Sequence, residues 1–128
     1  EGQLLRSGSE ALVIAVGSMV SRALEAAGML AAEGVEVAVL DPIWLKPLPE
    51  DQIREYAGDG PVVTVEEGAG LGGIGERVAA FLDGANAVTV LGLPDAFQPH
   101  GPRDGLLETA DLGVESIADA LRRAAGKA

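Results

Sequence analysis

ALVIAV, residues 11–16, is the stretch on which the reading of this chain turns. Six apolar residues run without interruption, and Gly17 and Ser18 follow at once. Strict alternation would mark a strand with one wet face, whereas a short unbroken run bounded by turn residues marks a strand covered on both faces. A helix is expected next, with Ser18 as its N-cap and its end near Glu33. Val20, Ala23, Leu24, Ala27 and Ala31 recur at helical spacing and form its expected apolar face. Gly34 stands where the glycine that ends a helix belongs.

The same alternation continues outward. Residues 35–41, VEVAVLD, read as a second strand. Pro47 and Pro49 bracket a turn, and Pro49, Glu50 and Asp51 suit the first turn of a short helix reaching Tyr56. Residues 61–66, PVVTVE, read as a third strand. Beyond a glycine-rich turn, Ile74, Val78, Phe81 and Leu82 mark another helical face. Residues 87–91, AVTVL, read as a fourth strand, and the loop GLPDAFQPHG follows it. The last helix is predicted from Val114 to Ala124, with Val114, Ile117, Ala118 and Leu121 inward and Arg122, Arg123 and Lys127 near its C-terminal dipole. Strands alternating with helices across short loops form a parallel sheet between helical layers, with right-handed crossovers. No repeat, low-complexity segment or interior linker interrupts residues 1–128, so one domain is expected.

Composition narrows the function classes. A chain of 128 residues is the size of one domain and buries about two-thirds of its unfolded surface. Aromatic residues make up only 3%, which suits an aliphatic sheet core. Nine basic against twenty acidic residues give a net charge of -11, and a strongly negative surface repels nucleic acid and anionic membranes. The charges are spread rather than clustered, as on a solvated surface. Without cysteine there is no disulfide, thiolate metal site or Cys nucleophile. No apolar run approaches the roughly 20 residues of a membrane span, and the opening EGQLLRSGSE lacks the pattern of a signal peptide. Because position 1 is Glu, the chain is expected to be a piece of a longer or processed one.

Four features look like chemistry. Gly68-Ala69-Gly70-Leu71-Gly72-Gly73 matches the Gly-x-Gly-x-x-Gly of dinucleotide sites, between a strand and a helix. Glu66 and Glu67 stand directly before it, where their charge opposes a pyrophosphate, and the next strand ends in Leu91-Gly92-Leu93 without the acidic residue such sites use. A turn allowing close approach of chain or of a neighbouring domain, with Gly70 and Gly73 as the positions that need it, is the expected reading. Gly58-Asp59-Gly60 followed by Asn86 resembles a thiamine-diphosphate and magnesium signature in spacing. Both pieces precede strands, however, at the edge of the sheet opposite the usual ligand edge, and both have ordinary turn composition. The pair Glu66-Glu67 lies in an extended segment, where neighbours point to opposite faces, so capping the following turn or touching a partner domain is expected rather than acid–base work. His100, the only histidine, has Arg103 near it but no nucleophile or metal-ligand cluster, and a loop hydrogen-bonding role is expected.

In their order, AVGSMV, IWLKPLPED, VTVEEGAGLGGIGERV and GLPDAFQPHG resemble the C-terminal domain of transketolase-like enzymes. The Lys46-Pro47-Leu48 turn and the Glu66-Glu67 glycine turn look general to that superfamily. The loop at residues 92–101 looks like the mark of the 1-deoxy-D-xylulose-5-phosphate synthases within it, with one departure: Pro99 stands before His100 where an acidic residue is expected. The resemblance covers nearly the whole chain. It implies an α/β fold in three layers, α/β/α, around a five-stranded, mostly parallel sheet whose first strand, Gln3 to Arg6, is antiparallel. It also implies a cytoplasmic homodimeric transferase that joins pyruvate, after decarboxylation, to glyceraldehyde 3-phosphate, feeding isoprenoid and thiamine biosynthesis. Thiamine diphosphate and Mg2+ would be bound by other domains of the same enzyme, and no catalytic, cofactor-binding or metal residue carries over to this chain. Glu66, Glu67, Gly70, Gly73, Phe97, His100 and Arg103 remain as interface or structural candidates, Phe97 and His100 as parts of a latch against the rest of the enzyme. Two rival readings stay open: a nucleotide-binding domain, and a docking module like that of related dehydrogenase complexes.

Overall fold

A computed structural model describes residues 2–43, 47–66, 73–92 and 113–126. In chain order these form β1 (Gln3–Arg6), β2 (Ala11–Ala15), α1 (Met19–Ala32), β3 (Val37–Asp41), α2 (Glu50–Ala57), β4 (Val62–Glu66), α3 (Ile74–Leu82), β5 (Val88–Gly92) and α4 (Val114–Ala124). One five-stranded sheet has the order β1-β3-β2-β4-β5. Strand β1 pairs antiparallel with β3, and every other pairing is parallel. The apolar run at residues 11–16 thus supplies the central strand, and Leu12, Val13, Ile14 and Ala15 are wholly buried. Covering a side chain such as Leu12 or Ile14 contributes about 1.5–3 kcal/mol.

Side-chain alternation splits that burial into two cores. Val13 and Ala15 join Val37, Val39, Val63 and Val65 under α1 and α4. Leu12 and Ile14 join Leu40 and Val62 under α2 and α3. The reversal of direction between β2→β3 and β3→β4 explains the two layers, because crossovers of one hand then put α1 and α2 on opposite faces. This is the three-layer α/β/α arrangement, with β1 as the antiparallel strand. Among the described residues, no helix is long and apolar enough to cross a membrane.

Helix α1 differs from expectation in two details. Its buried stripe is Met19, Ala23, Ala26, Ala27 and Leu30, so Val20, Leu24 and Ala31 lie on the flank and are only partly covered. An apolar face drawn from Val20 is rotated by about one residue from the true one, because alanines fit either side of the stripe. Ser18 occupies the N-cap position, but its φ and ψ are helical and its side chain makes no capping hydrogen bond. The other end follows the sequence. Gly34 has φ +85, its N–H donates to Ala31 O at 3.0 Å, and Val35 N–H donates to Leu30 O at 2.9 Å. That pair of bonds is a Schellman ending, which requires the left-handed conformation glycine tolerates.

A side-chain fork ties α4 to α1. Arg122 Nε donates to Glu33 Oε1 at 2.9 Å and Arg122 Nη2 to Glu33 Oε2 at 2.7 Å, while Nη1 donates to Asp119 Oδ1 one turn back. The hydrogen bonds from Arg122 hold the Glu33 carboxyl below the usual carboxylate range and, with the same charges, raise the guanidinium further. A planar guanidinium matches a carboxylate in this two-bond geometry, which a lysine does not reproduce.

Candidate functional site at the carboxyl edge of the sheet

Strand order reverses between β2 and β4, and in open α/β sheets ligands bind outside the carboxyl ends of strands at such a point. Val16 N–H, just past β2, donates to Val65 O at 3.1 Å and fixes the two strand ends together. Glu66 is the last residue of β4. Its Oε1 accepts a hydrogen bond of 2.7 Å from the N–H of Ile74, the first residue of α3. Gly73 at the N-cap has no side chain to offer, so a carboxylate from eight residues upstream caps the helix instead.

This bond decides what the edge can hold. A helix N-terminus attracts phosphate because free N–H groups and the dipole favour an anion. Here the chain's own carboxylate sits on the first of those amides, and a pyrophosphate brought to it meets a negative charge at hydrogen-bond distance. Of the Gly-x-Gly-x-x-Gly turn only Gly73 is among the described residues, and the carboxylate on the neighbouring Ile74 amide opposes a pyrophosphate there. Capping by Glu66 is one of the two roles its position suggested, and the geometry provides it.

A close approach is visible at Gly75, two residues past the end of that motif and within the glycine-rich stretch expected to need one. A Cβ added there would collide with Val90 Cγ1 and stand 2.8 Å from Thr64 Oγ1. Gly75 is buried on α3, and Thr64 and Val90 are register partners on β4 and β5. Absence of a side chain lets α3 lie against the sheet at this point. Nothing in the residue pattern separates Gly75 from the glycines before it; only the register of β4 with β5 does.

Gly58-Asp59-Gly60 and Asn86 are indeed brought together, though not as a metal site. Asn86 Nδ2 donates to Gly58 O at 3.1 Å and to Gly60 O at 2.7 Å. The amide ties the turn before β4 to the turn before β5, at the amino edge of the sheet. A magnesium ion takes oxygen ligands, whereas Asn86 turns its nitrogen to the carbonyls of Gly58 and Gly60. These residues do not fit a magnesium-bound diphosphate. Among the described residues, no group of three or more His, Asp or Glu side chains gathers in a way that could hold a metal ion.

Glu67, Gly70, Phe97, His100 and Arg103 lie outside the described residues, as do the loop from residue 93 onward and Lys127.

The family described as "Transketolase, C-terminal domain" matches residues 1–117. The chain belongs to that family. Among curated relatives, a 1-deoxy-D-xylulose-5-phosphate synthase of Syntrophotalea carbinolica is 44% identical over 126 residues, which is 95% of this chain and 20% of the relative. The enzyme of the same name from Leifsonia xyli subsp. xyli is 42% identical over 85% of this chain and 17% of its own length. This transketolase C-terminal domain thus spans about a fifth of the length of the relatives it matches. Among solved structures, a split-gene transketolase described as an inactive β4 tetramer superposes with a TM-score of 0.81 at 33% identity, over 98% of this chain and 42% of the other. A transketolase from Pichia stipitis superposes with a TM-score of 0.65 at 19% identity and shares the fold.

Proposed function

We propose that this transketolase C-terminal domain is the non-catalytic end of a 1-deoxy-D-xylulose-5-phosphate synthase. The full transferase joins pyruvate, with loss of carbon dioxide, to glyceraldehyde 3-phosphate, in the cytoplasm and as a homodimer. Thiamine diphosphate and Mg2+ supply the carbanion chemistry there, held by domains that precede this one. The observation that carries the non-catalytic reading is the Glu66 carboxylate on the α3 N-terminus, because it occupies the amide a phosphate would need. The synthase assignment draws support from relatives of that name at 35–44% identity. The role left to the domain is packing against the rest of the enzyme and across its dimer, with Glu67, Gly70, Gly73, Phe97, His100 and Arg103 as contact or turn residues.

Titration calorimetry on residues 1–128 with thiamine diphosphate plus Mg2+, and separately with NAD, is expected to show no saturable heat. The full-length polypeptide is expected to release carbon dioxide from pyruvate only when glyceraldehyde 3-phosphate and the cofactor are present. A saturable, magnesium-dependent isotherm on residues 1–128 that disappears in Asp59→Ala would refute the non-catalytic reading.

A further inference from the structure

Beside the carboxyl end of β3 runs a groove of about 460 Å³ lined by Pro42 and residues 47–52. It shares Pro47, Leu48 and Glu50 with a second hollow that continues to Arg77, Ala80 and Phe81. The floor is apolar, and Ile43, next to Pro42, leaves 51% of its surface exposed. Glu50 and Asp51 are exposed on the rim. The groove wall holds the chain at its first described residue. Gly2 N–H donates to Gln52 Oε1 at 2.6 Å, and Gln52 Nε2 donates back to Gly2 O at 3.0 Å. A side-chain amide thereby imitates the two-way pairing of a neighbouring strand. The backbone of Gly2 is also seated flush on the end of β3, since a Cβ there would lie 2.9 Å from Asp41 O and 3.1 Å from Pro42 Cα.

We infer that this groove is the seat of the polypeptide that leads into Gly2 from the preceding part of the enzyme. The inference rests on the synthase reading above, in which the remaining four-fifths of the chain comes before a C-terminal domain. Antiparallel pairing of Gln3 with Asp41 sends that polypeptide out of the sheet at the carboxyl end of β3, on the groove side. Gln52 both lines the groove and grips Gly2, so the incoming backbone is delivered to it. The chemistry asks for an extended segment with an apolar side chain against Leu48 and the prolines and a basic one opposite Glu50 and Asp51. The groove thereby sets the angle between this domain and the one before it.

Hydrogen exchange read by mass spectrometry on the full-length enzyme tests this, following the stretch immediately before residue 1. That stretch is expected to be protected, and Leu48→Asp is expected to raise its exchange about tenfold while β2 and β4 keep their protection. Asp51→Lys, on the exposed rim and harmless to the core, is expected to raise it less. Exchange at the free-peptide rate in the unsubstituted enzyme overturns the proposal, as does protection unchanged in both variants. Protection that grows with protein concentration assigns the groove to a second copy and overturns it as well. Turnover of the same preparation reads the synthase assignment separately. Active enzyme with an unprotected leading stretch sinks the groove alone, and an inactive polypeptide with a protected stretch sinks the assignment alone.

Discussion

At Gly75 two opposing effects meet in a single methyl group. Replacing a helical glycine by alanine ordinarily stabilises by about 0.8–1 kcal/mol through the unfolded chain. Here the added carbon would fall inside the contact distance of both Val90 Cγ1 and Thr64 Oγ1. Val90 is half-exposed at the sheet edge and can yield, whereas Thr64 is wholly buried and cannot. Overpacking of this kind costs about 1–3 kcal/mol, so Gly75→Ala is expected to lose about 1 kcal/mol net in urea unfolding. A gain in stability would show that α3 does not lie this close to the sheet. The residue scale is also where the sequence was least legible. Glu66 could be placed before a glycine-rich stretch, but its bond to Ile74 joins residues eight positions apart. Gln52 looked like any polar residue of a short helix, because its partner Gly2 is fifty positions away.

Among the elements, α1 and α4 show how much of the fold was legible and where it stopped. Both were readable as helices from apolar spacing, α4 to the residue, because Ile117, Ala118 and Leu121 leave only one face to bury. Helix α1 was readable in extent but not in rotation, since its alanines pack on either side of the stripe. Strand β1 could not be read from its four residues, QLLR, which show neither alternation nor an unbroken run; it entered through family resemblance alone. The contact between α1 and α4 was equally hidden, because Arg122 and Glu33 are 89 residues apart. That contact should be visible in pH dependence. The Glu33 carboxyl is lowered in the folded state, so its stabilising contribution is complete above its ordinary value of 4.5 and is lost as pH falls through the lower folded value. The stability gap between the chain and Glu33→Gln is therefore expected to be constant near neutrality and to close below about pH 4. High salt should narrow it at any pH, because both groups are at the surface. A gap that instead widens on acidification would mean the fork is not formed in solution.

For the whole molecule, the question is whether its carboxyl edge does chemistry or only holds the enzyme together, and Glu66 separates the two. It stands at the strand-order reversal, the place where α/β folds usually keep their ligands. Its Oε1 is committed to the Ile74 amide, so any proton transfer would fall to the other oxygen and would have to coexist with the helix cap. In the full-length enzyme, Glu66→Ala leaves the Ile74 amide without its partner and is expected to lower stability by about 1–2 kcal/mol. Glu66→Gln keeps an acceptor oxygen at the same reach and is expected to recover at least half of that loss. On the proposal that the reacting atoms belong to other domains, neither variant is expected to change kcat by more than about twofold, since a tenfold change would require about 1.4 kcal/mol of transition-state stabilisation from this side chain. Thermal unfolding and steady-state turnover, measured on the same three proteins, separate the outcomes. If Glu66→Gln is as stable as the parent yet turns over orders of magnitude more slowly, the carboxylate is needed for its charge in the reaction. The C-terminal domain would then belong to the active site rather than to the scaffold around it.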